Sequence, residues 1–146
     1  YHPYSPKMGE IDGKTYKVTS GFLSPEMENF MGKSHVIQVS QCSFDFDNYG
    51  CVWNVTTPEG EQVPIRVATY GGRFTNLVKA PEDQTQLLVT SGSWLTEDTF
   101  QIVCRWTETC LTKKLNFHFS DNGFTVETSS NYAFPEKGGA IHGRLV

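Results

Sequence analysis

Residues 91–119 read SGSWLTEDTFQIVCRWTETCLTKKLNFHF, and their alternation decides the fold class. Phe100, Ile102, Cys104 and Trp106 fall on every second position. Gln101, Arg105 and Thr107 lie between them, with Val103 the one apolar residue on that side. A period of two is the signature of a strand that buries one face. Leu115, Phe117 and Phe119 repeat it against Lys114, Asn116 and His118. Thr96-Glu97-Asp98 and the region around Cys110 join these runs, so the stretch predicts consecutive antiparallel strands. The chain around it is expected to be an all-β sheet curled on itself.

The same reading extends outward. Downstream, Asp121-Asn122-Gly123 is a hairpin turn, residues 124–128 pair back, residues 129–139 are loop-like, and 140–146 form a closing strand. Upstream, residues 86–91 lead into the central stretch, 79–84 form a loop, 74–78 a short strand, and Gly71-Gly72 a bend. Pro64 inside a strand over 62–69 predicts an edge or a bulge. Thr57-Pro58-Glu59-Gly60 and Asp47-Asn48-Tyr49-Gly50 are turns flanking a strand that carries Trp53 and Val55. Before them, Cys42, Phe44 and Phe46 alternate with Ser43, Asp45 and Asp47. Residues 14–20 predict a first strand with Tyr16 and Val18 inward. Residues 21–33 read either as a loop or as a short helix started by Ser24-Pro25-Glu26. Residues 1–10 read as a linker or arm, leaving 11–146 as one domain. Short strands with turn signals roughly every 8–12 residues read as an antiparallel barrel or sandwich. An up-and-down barrel of about eight strands, with at most one short helix, is preferred because closure leaves no exposed edge.

Composition narrows the class. The chain has 146 residues, enough for one well-packed domain. Its 38% hydrophobic and 19% charged content fits a globular domain, and no apolar run suits a membrane-spanning helix. A net charge of −4 with no basic cluster argues against nucleic acid as a partner. The chain starts at Tyr1 rather than Met and is read as a fragment or processed chain. Cys42, Cys51, Cys104 and Cys110 show no CxxC spacing and are read as reduced thiols.

Chemistry-bearing patterns are scarce. No serine has lysine three residues on, and no Gly-x-Ser-x-Gly elbow occurs. His2, His35, His118 and His142 are scattered without metal-ligand spacing, so neither a metal nor any other cofactor is expected. Asn54-Val55-Thr56 fits a glycosylation sequon, but it lies within a strand and is discounted. Trp53, Tyr70 and Trp106 are candidates for lining a cavity. Arg105 is out of phase with Trp106, so a regular strand cannot turn both inward. Trp94 and Arg144 form a candidate structural pair in which the guanidinium covers the indole, a contact worth about 1 kcal/mol.

The order of segments also resembles a known family. Ser91-Gly92-Ser93-Trp94, Asp98-Thr99-Phe100, Glu108-Thr109, the Phe119-Ser120-Asp121-Asn122-Gly123-Phe124 hairpin and the closing Gly143-Arg144 carry the resemblance. Together they look like the C-terminal lipocalin-like β-domain of serine hydrolases in the β-lactamase/penicillin-binding-protein group, of the class C-like or CubicO type. The likeness covers residues 12–146 and departs at Cys110, where a proline is expected. It implies a non-catalytic accessory domain whose partner is the N-terminal catalytic domain of a parent chain. That domain would shape substrate access or drive self-association into a homo-oligomer. The alternative is a free-standing lipocalin-like carrier of a small apolar ligand. Ser120-Asp121-Asn122 matches one family motif in letters only, because the hairpin turn already explains it.

Overall fold

The computed structural model describes residues 2–26, 37–79, 85–131 and 140–146. Most of the undecided 21–33 segment, and most of the loops expected at 79–84 and 129–139, lie outside the described residues. The described elements are α1 (Lys7–Ile11) and ten strands: β1 (Thr15–Ser20), β2 (Gln41–Phe46), β3 (Gly50–Thr56), β4 (Gln62–Ala68), β5 (Phe74–Lys79), β6 (Thr85–Trp94), β7 (Thr99–Trp106), β8 (Leu111–Phe119), β9 (Gly123–Ser130) and β10 (Ile141–Leu145).

These strands form one antiparallel meander in the order β4-β3-β2-β1-β10-β9-β8-β7-β6-β5. It closes where Ala68 of β4 meets Ser91 of β6 in a parallel bridge. Nine strands therefore complete the ring, and β5 is an extra strand paired to β6. This ring is the up-and-down barrel of about eight strands that the sequence predicts, with β5 added at the seam. Residues 1–10 are more than an arm: His2 pairs with Trp94, and α1 follows with Ile11 buried.

Turn chemistry fixes the hairpins. Asp47 Oδ1 accepts from the N–H groups of Tyr49 (2.8 Å) and Gly50 (2.9 Å). The Tyr49 N–H, and after it the Arg66 guanidinium at 2.8 Å, hold the Asp47 carboxyl below its ordinary pKa. In the β8–β9 hairpin the Ser120 N–H donates to Gly123 O at 2.8 Å, so Ser120-Asp121-Asn122 is a turn, as the sequence suggests. Gly92 is required by close approach. A Cβ there would lie 2.7 Å from Val67 Cγ1 and 2.8 Å from Phe100 Cζ.

The interior divides into two ends. One is filled by Tyr16, Phe44, Phe46, Trp53, Trp94, Phe100, Phe117, Phe119 and Phe124, with neighbouring ring centroids 5.0–6.5 Å apart. Many pairs meet edge to face, the arrangement ring quadrupoles favour. The α1 segment lies against this end: Ser5 Oγ donates to Glu97 O at 2.6 Å, and the Gly13 N–H to Phe44 O at 2.8 Å. The opposite end lies under the β1–β2 connection. There Leu23, Ile37 and Val39 join the buried core, and the Val39 N–H donates to Leu23 O at 2.8 Å.

The ring is sealed between β4 and β5 by side chains. Asn76 Oδ1 accepts from the Arg66 N–H at 2.9 Å, and Asn76 Nδ2 donates back to Arg66 O at 2.9 Å. The amide thereby imitates the backbone of a paired strand. Thr90 Oγ1 donates to the same Arg66 carbonyl and lies 3.2 Å from Asn76 Nδ2. Pro64 stands two residues before Arg66 and pairs only with Asn54 of β3, the edge position its sequence predicts.

All four cysteines are free. Burial pushes the Cys42 and Cys104 thiols up to about 12 and raises Cys51 as well. Cys42 stands opposite Val55 and Cys51 opposite Phe46, so the hairpin does not bring the two together. Native protein treated with a thiol-specific chromophore is expected to react promptly at Cys110 alone, and unfolded protein at every cysteine. Prompt native reaction at Cys42 or Cys104 would contradict the closed barrel.

Candidate functional site

The period-two phase of β8 places Leu111, Lys113, Leu115, Phe117 and Phe119 inside the barrel. Lys113 is 2% exposed, so a side chain that ordinarily seeks water is enclosed among apolar neighbours. Its register partner is Cys104 of β7. The ammonium nitrogen donates to Glu26 O at 2.9 Å. Burying a charge costs free energy unless bonds and opposite charges offset it. The Lys113 charge also draws the Cys104 thiol down, against the larger upward push of burial.

Trp106 and Glu26 complete this polar end. Trp106 Nε1 donates to Pro25 O at 2.8 Å. The Glu26 N–H donates to Ser24 Oγ at 3.0 Å, and Glu26 Oε2 accepts from the Ile37 N–H at 2.7 Å. Residues 23–26 and 37–39 are thus stitched to each other and to β7 and β8. An ammonium, a carboxylate and an indole N–H are buried at this end, where Leu23, Ile37, Val39 and Leu111 are also buried in the core. Such a set can receive the polar head of an otherwise apolar molecule.

The sequence-predicted site residues are not gathered here as one lining. Trp106 belongs to this end. Trp53 is fully buried in the aromatic end, stacked on Phe44 at 6.5 Å and edge to face with Phe117 at 5.6 Å. Tyr70 is 63% exposed in the β4–β5 turn with φ 60°. Trp94 points inward against Phe46, Phe100 and Phe119. Arg144 is exposed on β10 between Lys17 and Gly123, so its side chain lies on the opposite face of the barrel wall from the Trp94 ring. The barrel wall separates this pair because neighbouring parity, not sequence order, decides the face.

Lys113 and Glu26 are the residues sequence reasoning missed. The phase that assigns Leu115 and Phe117 to the interior also assigns Lys113, so the signal was present in the alternation. Glu26 had none, since only the fold brings it over β8. Of the histidines, His118 lies on the outer face, its Nδ1 2.9 Å from Thr99 Oγ1 and its Nε2 3.4 Å from Glu127. Among the described residues no cluster of three metal-ligating side chains occurs.

Comparison with known proteins adds the fold. No protein-family model matches the sequence, and no curated protein is similar to it. A solved structure, the fatty-acid-binding protein isolated from Manduca sexta, superposes with a TM-score of 0.53 at 10% identity. The alignment covers 92% of this chain and 98% of that one. At that identity the likeness concerns architecture: both chains are lipocalin-like β-barrels over nearly their whole length.

Proposed function

We propose that this barrel is a carrier for a small, mainly apolar molecule with an anionic head. The observation that carries the reading is Lys113, an ammonium held inside the barrel beside Trp106. The head would compete with the acceptors that Lys113 Nζ now has, Glu26 O among them, and Leu23, Ile37, Val39 and Leu111 would meet the apolar tail. The aromatic end would serve as a packed floor rather than as ligand space. A barrel of this size suits one small ligand, and the solved neighbour is by name a fatty-acid-binding protein.

Displacement of 1-anilinonaphthalene-8-sulfonate by lauric acid tests this directly. Wild type is expected to bind both. Lys113→Met, which keeps the length and removes the charge, is expected to weaken laurate binding at least roughly tenfold, the loss of one charge-assisted hydrogen bond. Its melting temperature is expected to fall, because removing the ammonium leaves the buried Glu26 carboxylate without that opposite charge, so laurate binding is read well below the unfolding transition. Wild type that binds neither compound would sink the carrier reading.

A second reading keeps the accessory domain of a β-lactamase-type serine hydrolase. It is favoured by Tyr70, Phe74, Leu77 and Leu87, which are 63%, 41%, 74% and 40% exposed around the β4–β5 turn and the β5–β6 hairpin. Such a row suits docking on a catalytic domain or on a second copy. Gel filtration of wild type against Leu77→Lys would detect self-association.

A further inference from the structure

Tyr70 is the outlier that points beyond the interior. It is one of two described non-glycine residues with positive φ, the other being Cys110. With Gly71 at φ 77° and the Gly72 N–H donating to Thr69 O at 3.2 Å, Tyr70 takes the first central position of a two-residue turn that needs positive φ, where an aromatic residue is costlier than glycine or asparagine. Nothing packs over the ring, which stands 63% exposed. It forms the rim of a groove of about 570 Å³ on the outer face of β6 and β7. Grooves that hold small molecules fall in the range of about 300–1,000 Å³.

The groove is mixed in chemistry: Pro3, Val103 and the Tyr70 ring give it apolar surface, and uncharged polar side chains lie between them. Its floor carries Ser91, Ser93 and Gln101, with Ser93 directly opposite Gln101 in the strand register. The two serine hydroxyls make no hydrogen bond among the described residues. The Gln101 amide is fixed by a 3.0 Å bond to the Asn116 amide, which leaves its other polar atom for the groove. His2 walls one side, anchored through two backbone hydrogen bonds to Trp94 of 3.0 and 2.6 Å. Arg73 is the one permanently charged side chain in the lining.

From this arrangement we infer that the groove is a carbohydrate-binding site. A pyranose has one face of polarised C–H groups and a rim of hydroxyls. The negative face of the exposed Tyr70 ring attracts the former. The hydroxyls and amide of Ser91, Ser93 and Gln101 both donate and accept, as sugar hydroxyls do. Apolar ligands would leave these floor groups unpaired, which disfavours them. The groove opens outside the barrel wall, whereas Lys113 points inside it, so this site is independent of the carrier reading.

The test is titration of the isotopically labelled 146-residue chain with cellobiose, maltose, lactose and chitobiose, with inorganic phosphate and lauric acid as controls. At least one sugar is expected to shift the amide signals of Tyr70, Gly71, Ser91, Ser93 and Gln101, leaving Lys113 and Cys104 unmoved. Tyr70→Ala and Gln101→Ala are each expected to weaken that sugar roughly three- to tenfold. Tyr70→Gly should abolish stacking yet raise the melting temperature, because glycine relieves the positive φ; a merely structural tyrosine would not separate the two readouts that way. The inference is overturned if no sugar in the panel shifts the groove, or if phosphate shifts it more strongly through Arg73.

Discussion

Asn76→Leu is expected to lower stability by about 2–3 kcal/mol, because it orphans the Arg66 N–H and takes one of two donors from the Arg66 carbonyl at the seam of the barrel. The Arg66 N–H and C=O are satisfied by the Asn76 amide, at 2.9 Å each. β5 supplies no backbone ladder to β4, so the amide is what lets a gap between two strands remain paired. Leucine has the right size and no polar atoms, and it leaves Arg66 with only the Thr90 hydroxyl on its carbonyl. Urea unfolding should show a lower midpoint, and hydrogen exchange should show lost protection at the Arg66 amide. A carboxyl at the same position, Asn76→Asp, makes a sharper test. Ionised, it can accept from Arg66 but repels the carbonyls of Arg66 and Leu88, both of which the amide now donates to. Protonated, it can accept and donate as the amide does. Its folded-state pKa is therefore raised above the unfolded value, and its stability deficit should shrink as pH falls through that raised value. An unchanged urea midpoint for Asn76→Leu, with Arg66 still protected, would mean that other contacts hold the seam.

Phe44→Ala should destabilise by about 3–5 kcal/mol, the usual range for emptying a buried phenylalanine site. Phe44 is fully buried at the centre of the aromatic end. Its ring lies 5.2 Å from Phe117, 5.5 Å from Phe119 and 6.5 Å from each of Tyr16, Trp53 and Phe100. Those neighbours come from β1, β3, β7 and β8, so the ring ties opposite walls of the barrel together. Because the neighbours are rigid rings, the site can collapse little, and the cavity cost adds to the transfer cost. For a domain of this size the melting temperature should fall by roughly 10 °C. Phe44→Leu, which refills most of the volume, should cost only about 1–2 kcal/mol. Leu77→Ala provides the contrast: its side chain is 74% exposed, and its effect should stay within about 0.5 kcal/mol. Equal losses from Phe44→Ala and Leu77→Ala in thermal melts would refute the assignment of Phe44 to the core.

The two residues differ in how readable their weight was. Phe44 alternates with Ser43 and Asp45, and its inward face follows from that period. Asn76 sits in a short run between Thr75 and Leu77 and resembles any polar strand residue. Its role depends on Arg66, which reaches it only because the meander bends β4 around to β6. Lys113 lies between these cases. The alternation of β8 assigns it to the interior, but residue type argued the other way, and contacts such as its bond to Glu26 O, made by a residue distant in the chain, are what let the burial be tolerated.

Local pattern was enough for the fold class and for most of the strands, though not for the α1 turn at Lys7–Ile11. Alternation, turn residues and Pro64 act over a few neighbouring positions, so they survive without knowledge of the rest of the chain. Tertiary structure decided what those strands enclose and expose. It set the closure through Asn76, brought Glu26 and Pro25 over Lys113 and Trp106, and turned Trp94 away from Arg144. It also placed Tyr70 at the rim of an outer groove instead of in the interior with Trp53. Each of these pairings joins residues distant in the chain, and their meeting is fixed by strand order, register and barrel closure, which no local pattern encodes.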